Sequence, residues 1–119
     1  MTSSERRKAP RAVSQLEIVV GHDAQELAAS TENISESGAY CTVSRFLPMM
    51  TKLQLRLEIP DGQSSKTLIC QGVVVRIEPP QASPEQQRYR VAIFFNDLTA
   101  RDRSVLAHYV TQRLQPTAS

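Results

Sequence analysis

The chain is poor in aromatic residues, which make up 5% of its 119 positions, and it has four glycines, two cysteines, two histidines and no tryptophan. Each shortage excludes something. A surface that stacks unpaired bases needs several rings on one strand face, and only Tyr40, Tyr89, Phe94 and Phe95 fall in strand-like runs. Four glycines leave little room for a phosphate-cradling P-loop, and no such motif is present. Cys41, Cys70, His22 and His108 are scattered singly and make no zinc pattern. Both cysteines sit inside apolar runs and read as reduced core residues of a cytoplasmic protein. No apolar stretch approaches the roughly 20 residues of a membrane helix. The polar start Met1–Glu5 lacks the apolar segment of a secretory signal. No Ser-His-Asp or Cys-His arrangement can be argued from spacing. Asp97, Asp102 and Glu78 are isolated carboxylates, His22 beside Asp23 reads as a polar turn, and His108 as helix surface. The expectation is a cytoplasmic protein that is not an enzyme and carries no metal or cofactor.

What is present is a single domain's worth of chain with ordinary globular composition, 40% hydrophobic and 22% charged. Residues 1–12 are polar and aperiodic and read as a flexible arm, stiffened by Pro10. Leu16 to Val20, ending at Gly21, reads as a first strand. Gln25 to Ile34 is a more polar strand candidate that also reads partly as loop. Ala39 to Val43 is a third. Leu53, Leu55, Leu57 and Ile59 alternate strictly with Lys52, Gln54, Arg56 and Glu58, the period-two pattern of a strand with one wet and one buried face. Pro60-Asp61-Gly62 closes that strand in a turn. Thr67 to Ile77 is a long valine-rich strand in which Gly72 suggests a bulge or bend. Residues 78–87 read as a long surface loop, and Arg88 to Phe95 as a last strand with Tyr89, Val91, Ile93 and Phe95 on one face.

The period then changes. Thr99 can cap a helix, with Asp102 near its N-terminus. Val105, Leu106, Tyr109, Val110 and Leu114 fall on one helical stripe. Residues 115–119 read as a tail. Six strands and one amphipathic helix, with no βαβ alternation, predict a mainly β fold: a small closed antiparallel barrel over residues 13–114, with the C-terminal helix covering one side.

Two short motifs stand out. Net charge is only +2, but Arg6, Arg7, Lys8 and Arg11 oppose a single acid, Glu5, over residues 5–11. Within them Arg7-Lys8-Ala9-Pro10-Arg11 reads R-x-x-x-R. Further on, Asn33-Ile34-Ser35-Glu36-Ser37-Gly38 reads N-x-S-x-x-G. In this order and at this separation the pair resembles the signature of PilZ domains, bacterial receptors for cyclic di-GMP. The run Gly72–Arg76, the run Tyr89–Phe95 and the final helix extend the likeness over roughly residues 5–114. Ala92 departs from it, since the family often has glycine there.

The resemblance implies a stand-alone, PilZ-like split barrel that binds cyclic di-GMP and signals to an unidentified effector protein. Arg7 and Arg11 are then assigned to guanine and phosphate. An arginine can donate two parallel hydrogen bonds to guanine O6 and N7, stack on the base, or make charge-assisted bonds to phosphate. Arg6 would stack on a second ligand molecule, and Lys8 would add to the positive field. Asn33 would bond a guanine edge or hold an arginine; its amide has one acceptor atom where the aspartate of other family members has two. Ser35 would donate to a phosphate oxygen, and Gly38 would let backbone and ligand approach closely, with positive φ permitted. On its own the second motif is also ordinary turn chemistry. Two other readings stay open: a PilZ-like adaptor that no longer binds nucleotide, and a small barrel that binds single-stranded nucleic acid. Monomer and homodimer are both compatible with the sequence.

Overall fold

The computed structural model describes residues 12–13, 16–22, 25–61 and 63–114. In chain order these form β1 (Ala12–Val13), β2 (Glu17–His22), β3 (Gln25–Ile34), β4 (Gly38–Val43), β5 (Lys52–Asp61), β6 (Ser64–Glu78), β7 (Tyr89–Phe95) and α1 (Ala100–Leu114). The six longer strands lie in the order β3-β2-β5-β6-β7-β4, all antiparallel, and β4 pairs back onto β3. The sheet therefore closes into the expected barrel, which removes exposed edges. The two-residue β1 lies on the same flank of β3 as β2: Ala12 opposes Ile34 and Val13 opposes Asn33, while Glu17 opposes Ser30.

The alternation read from β5 sets its orientation. Leu53, Leu55, Leu57 and Ile59 are buried, and Lys52, Gln54, Arg56 and Glu58 face solvent. On β7, Tyr89, Val91, Ile93 and Phe95 point inward in the same way. These residues join Ile18, Val20, Leu68 and Val74 in one apolar core. Cys41 and Cys70 are buried in that core and form no disulfide. Burial pushes the Cys70 thiol up to about 12, with the carboxylates of Asp97 and Asp102 adding to the rise.

The helix starts where expected. Asp102 N–H donates to the Thr99 hydroxyl at 3.1 Å, the N-cap bond that satisfies one orphan donor of the first turn. Leu106, Tyr109 and Val110 are buried and Val105 is half-buried. Their stripe packs against β1 and β5.

Several sequence expectations change, among them the turn read at Pro60-Asp61-Gly62: Pro60 and Asp61 extend β5, paired with Ser65 and Ser64. Gln25–Ile34 is continuous strand, because β2 and β4 satisfy its backbone from both sides. The first long strand runs two residues past Val20, through Gly21 to His22. Gly72 makes no bulge: the register shift in β6 falls between Val74 and Arg76. Gly72 sits in regular ladder opposite Leu53 and Phe95, and a Cβ there would lie 2.7 Å from the side chains of both Ile93 and Leu55. Its small size serves interior packing rather than a bend.

Candidate functional site

The N-x-S-x-x-G segment is the connection between β3 and β4, and the ladder brings its three motif residues together. Asn33 lies near the end of β3 opposite Tyr40, and Ile34 lies opposite Ala39. Ser35 N–H donates to the Gly38 carbonyl at 2.9 Å, closing the turn. Ser35 is fully buried, and its hydroxyl works inside the turn: it accepts from Ser37 N–H at 3.1 Å and lies 3.0 Å from the Ser37 hydroxyl. This is the local side chain–backbone pattern that serine favours in turns. Gly38 has a strict steric reason to lack a side chain, since a Cβ would collide with the Ile93 carbonyl of β7. No positive φ occurs there. The turn is also pinned from outside, by Phe95 N–H donating to the Ser37 carbonyl at 2.9 Å and by Arg103 of α1 donating to the Glu36 carbonyl at 3.3 Å.

Arg6, Arg7, Lys8 and Arg11 lie outside the described residues, as does the tail 115–119. The chain enters the described barrel at Ala12, opposite Ile34. The sequence joint between the basic segment and the barrel therefore sits beside the turn that carries Ser35.

Around this turn the outer face holds groups that sequence reading misses. Register pairing lines up Asn33, Tyr40, Ala92 and Arg76 across β3, β4, β7 and β6. Two irregularities frame the row, one in β3 between Thr31 and Asn33 and one in β6 between Val74 and Arg76. Bulges re-aim side chains. In β3 the extra residue is Glu32, which accepts from Thr42 at 3.0 Å and takes two hydrogen bonds from Arg90, at 2.8 and 3.1 Å. The Arg90 bonds, with help from the Thr42 hydroxyl and against the cost of partial burial, hold the Glu32 carboxyl below its ordinary range. Arg90 also lies over the Tyr40 ring, 5.8 Å from its centroid, and Arg76 donates to the Tyr40 hydroxyl at 3.1 Å. No residue-type signal marks Glu32 in the sequence, and Arg76 is read there only as the end of the Gly72–Arg76 run. Only the bulges bring them to this face.

Other residues singled out in the sequence have quieter roles. Asp97 accepts a hydrogen bond from Gln71 N–H at 2.6 Å, tying the loop before α1 to β6. His108 is exposed on α1. A shallow concavity of about 840 Å³ lies on the outer face of β2, β5 and β6, lined in part by His22, Gln25, Lys52, Gln54 and Gln71. It contains none of the described motif residues Asn33, Ser35 and Gly38. Among the described residues, no cluster of His, Cys, Asp and Glu could hold a metal ion. No described helix is long and apolar enough to cross a membrane.

The family model of the PilZ domain matches residues 5–112. The chain belongs to the PilZ domain family. Solved structures carry the same fold at low identity. The inhibitor of motility MotI/DgrA of Bacillus subtilis is 20% identical, with a TM-score of 0.79 over 91% of this chain and 51% of that one. This PilZ domain thus spans about half of that protein. The PilZ domain of YcgR from Escherichia coli, solved with c-di-GMP, is 12% identical, with a TM-score of 0.64 over 90% of each chain. The PilZ domain of CeSA from a cellulose-synthesizing bacterium is 17% identical, with a TM-score of 0.56 over 87% of this chain and 96% of that one. No curated protein sequence matches this PilZ domain.

Proposed function

We propose that this PilZ domain is a cytoplasmic receptor for cyclic di-GMP, not an enzyme, and that it reports the messenger to an effector protein. The observation that carries the reading is the pairing of Ala12 with Ile34 and Val13 with Asn33. It sets the residue that follows Arg11 in the chain beside the N-x-S-x-x-G turn, which supports a reading in which guanidinium groups and the turn grip one ligand from two sides. Arg7 and Arg11 supply bidentate bonds to guanine or phosphate, and Arg6 stacks on a second ligand molecule. Asn33 presents its amide to a guanine edge. Ser35 and Gly38 belong to the site as builders of the turn, because the serine hydroxyl is engaged within it and the glycine admits β7. The switch is closure of the basic segment over the ligand. Fixing each residue costs about 1–2 kcal/mol, and the contacts with the ligand must exceed that cost.

The test is calorimetric titration with cyclic di-GMP at physiological salt, on the wild-type chain and on the Arg7→Ala, Arg11→Ala double variant. Saturable binding by the wild type, lost in the variant, is the expected outcome. A stoichiometry of two would give Arg6 its role. No heat and no thermal shift with folded protein would reject the receptor reading.

A second reading, an adaptor that works by protein contact alone, is favoured by the exposure of Met49, Met50, Val75 and Phe94. It expects a pull-down to recover the same proteins with and without cyclic di-GMP. The single-stranded nucleic acid reading loses ground, because Tyr89 and Phe95 are core residues and only Tyr40 and Phe94 remain of the four strand rings.

A further inference from the structure

The concavity on the outer wall of β2, β5 and β6 is accounted for by neither motif. β5 lies three strands from β4 either way round the barrel, so this wall faces away from the turn between β3 and β4. Strand register builds the groove in rows. Gly21, Gln54 and Gln71 lie side by side across β2, β5 and β6, and Val19, Arg56 and Ile69 do the same two residues along. Gly21 has no side chain, which leaves a dip beside Gln54; a Cβ there would meet nothing closer than 3.5 Å. Ile69 is an exposed apolar side chain, 58% accessible, at one rim. Lys52 stands on the far side of the Gln54 row, opposite Val73. Lys52 and Arg56 both face solvent, and four residues of strand set them roughly 13 Å apart on one face. Among the described residues neither makes an ion pair or a side-chain hydrogen bond. The one acid among the described residues that line the groove is Glu26, opposite Gly21.

We propose that this groove docks an extended acidic segment of the effector protein, of the form acid-x-apolar-x-acid. This rests on the effector half of the reading above and gives that partner a place, apart from the motif turn, where it does not compete with the messenger. In an extended chain alternate residues share a face, so carboxylates four residues apart have the spacing of Lys52 and Arg56. The apolar side chain between them enters the dip at Gly21, towards Ile69. The amides of Gln54 and Gln71 offer donors and acceptors to the segment's backbone. The closed barrel leaves no strand edge here, so docking is by side chains and not by strand addition. A second copy of the chain would bring like charges face to face. Single-stranded nucleic acid would find no phenyl or phenol ring in the lining to stack on.

The probe is a capped peptide with a Glu-Ser-Leu-Ser-Glu centre and serine flanks, titrated into the nitrogen-15-labelled chain and followed by amide shifts. A peptide with lysine in place of glutamate is the control. The proteins are the wild type, the Lys52→Glu, Arg56→Glu double variant and Gly21→Val, each also titrated with cyclic di-GMP. Lys52 and Arg56 are exposed and Gly21 has room for a Cβ, so both variants keep the fold. The expected result is saturable shifts confined to β2, β5 and β6 around Gly21 and Gln54, weaker at high salt. Each variant should lose at least about tenfold in peptide affinity while binding cyclic di-GMP as the wild type does. The lysine peptide should shift nothing. No shifts, shifts centred on residues 6–11, equal shifts with the lysine peptide, or unchanged affinity in either variant would overturn the proposal. Broadening of the same amides on concentrating the chain alone would overturn it too, by assigning the wall to a second copy. Peptide shifts as expected without any binding of cyclic di-GMP would reject the receptor reading and support the groove.

Discussion

At the scale of single residues, the turn between β3 and β4 is governed by contacts that leave little tolerance. Gly38→Ala would press a methyl group into the Ile93 carbonyl, and backbone cannot swing aside as a flexible side chain can. The expected cost is about 1–3 kcal/mol, read as a lower urea midpoint with an unchanged denaturant slope. Glu32 offers a test by pH. Its carboxyl titrates below the ordinary 4.5 in the folded chain because Arg90 bonds to it. A group whose folded pKa is depressed stabilises the fold above its unfolded pKa and loses that contribution as pH falls through the folded value. Glu32→Gln should therefore be less stable than wild type at pH 7, and the gap should close on acidification below about 4.5. Both partners are substantially exposed, so the gap should be small and should shrink with salt. Urea melts of both proteins at pH 7 and pH 3, at two ionic strengths, check this.

At the scale of elements, the strongest local patterns survive folding unchanged. Strict alternation in β5 and the helical stripe of α1 each bury the face that their period defines. The helix depends on its cap, since Thr99 is the residue that accepts the Asp102 N–H. Thr99→Ala should cost about 1 kcal/mol, measured as a reduced melting temperature with native circular dichroism below the transition. β3 is harder to read because a polar strand carries no alternation of its own. Its neighbours on both sides make it a strand. Gly72 misleads for a related reason: glycine in a strand signals either a bend or a tight neighbour, and only the facing strands decide which. Here Ile93 and Leu55 fill the space.

At the scale of the molecule, α1 joins the two ends of the chain. Its apolar stripe packs on β5 and on β1, the short strand through which the basic segment enters. Its Arg103 also reaches the Glu36 carbonyl in the motif turn. Leu106 is completely buried, and Leu106→Ala should destabilise the whole domain by about 2–5 kcal/mol. The loss should appear as one cooperative transition at lower temperature, in helix and sheet signals together. Separate transitions would mean that the helix docks on an already stable barrel.

The barrel class, the helix with its cap, the buried cysteines and the family are legible in the sequence. Each depends on patterns within a short stretch of chain or on motifs read directly as chemistry. The jobs of Ser35 and Gly38 are only half legible. Their types suit a ligand turn, but the engaged hydroxyl and the crowding by β7 emerge only once the turn has closed and β4 has met β7. Asn33 is legible as a motif residue, and Ala92 and Arg76 lie in runs that extend the family likeness, but their meeting with Tyr40 in one row is not legible. Its members come from four strands far apart in the chain. Two bulges, neither marked by a glycine, decide which of their neighbours share that face. Local sequence dictates which way a strand's side chains alternate. Pairing between distant strands dictates which of those side chains meet, and so the composition of the face beside the turn was decided by tertiary structure alone.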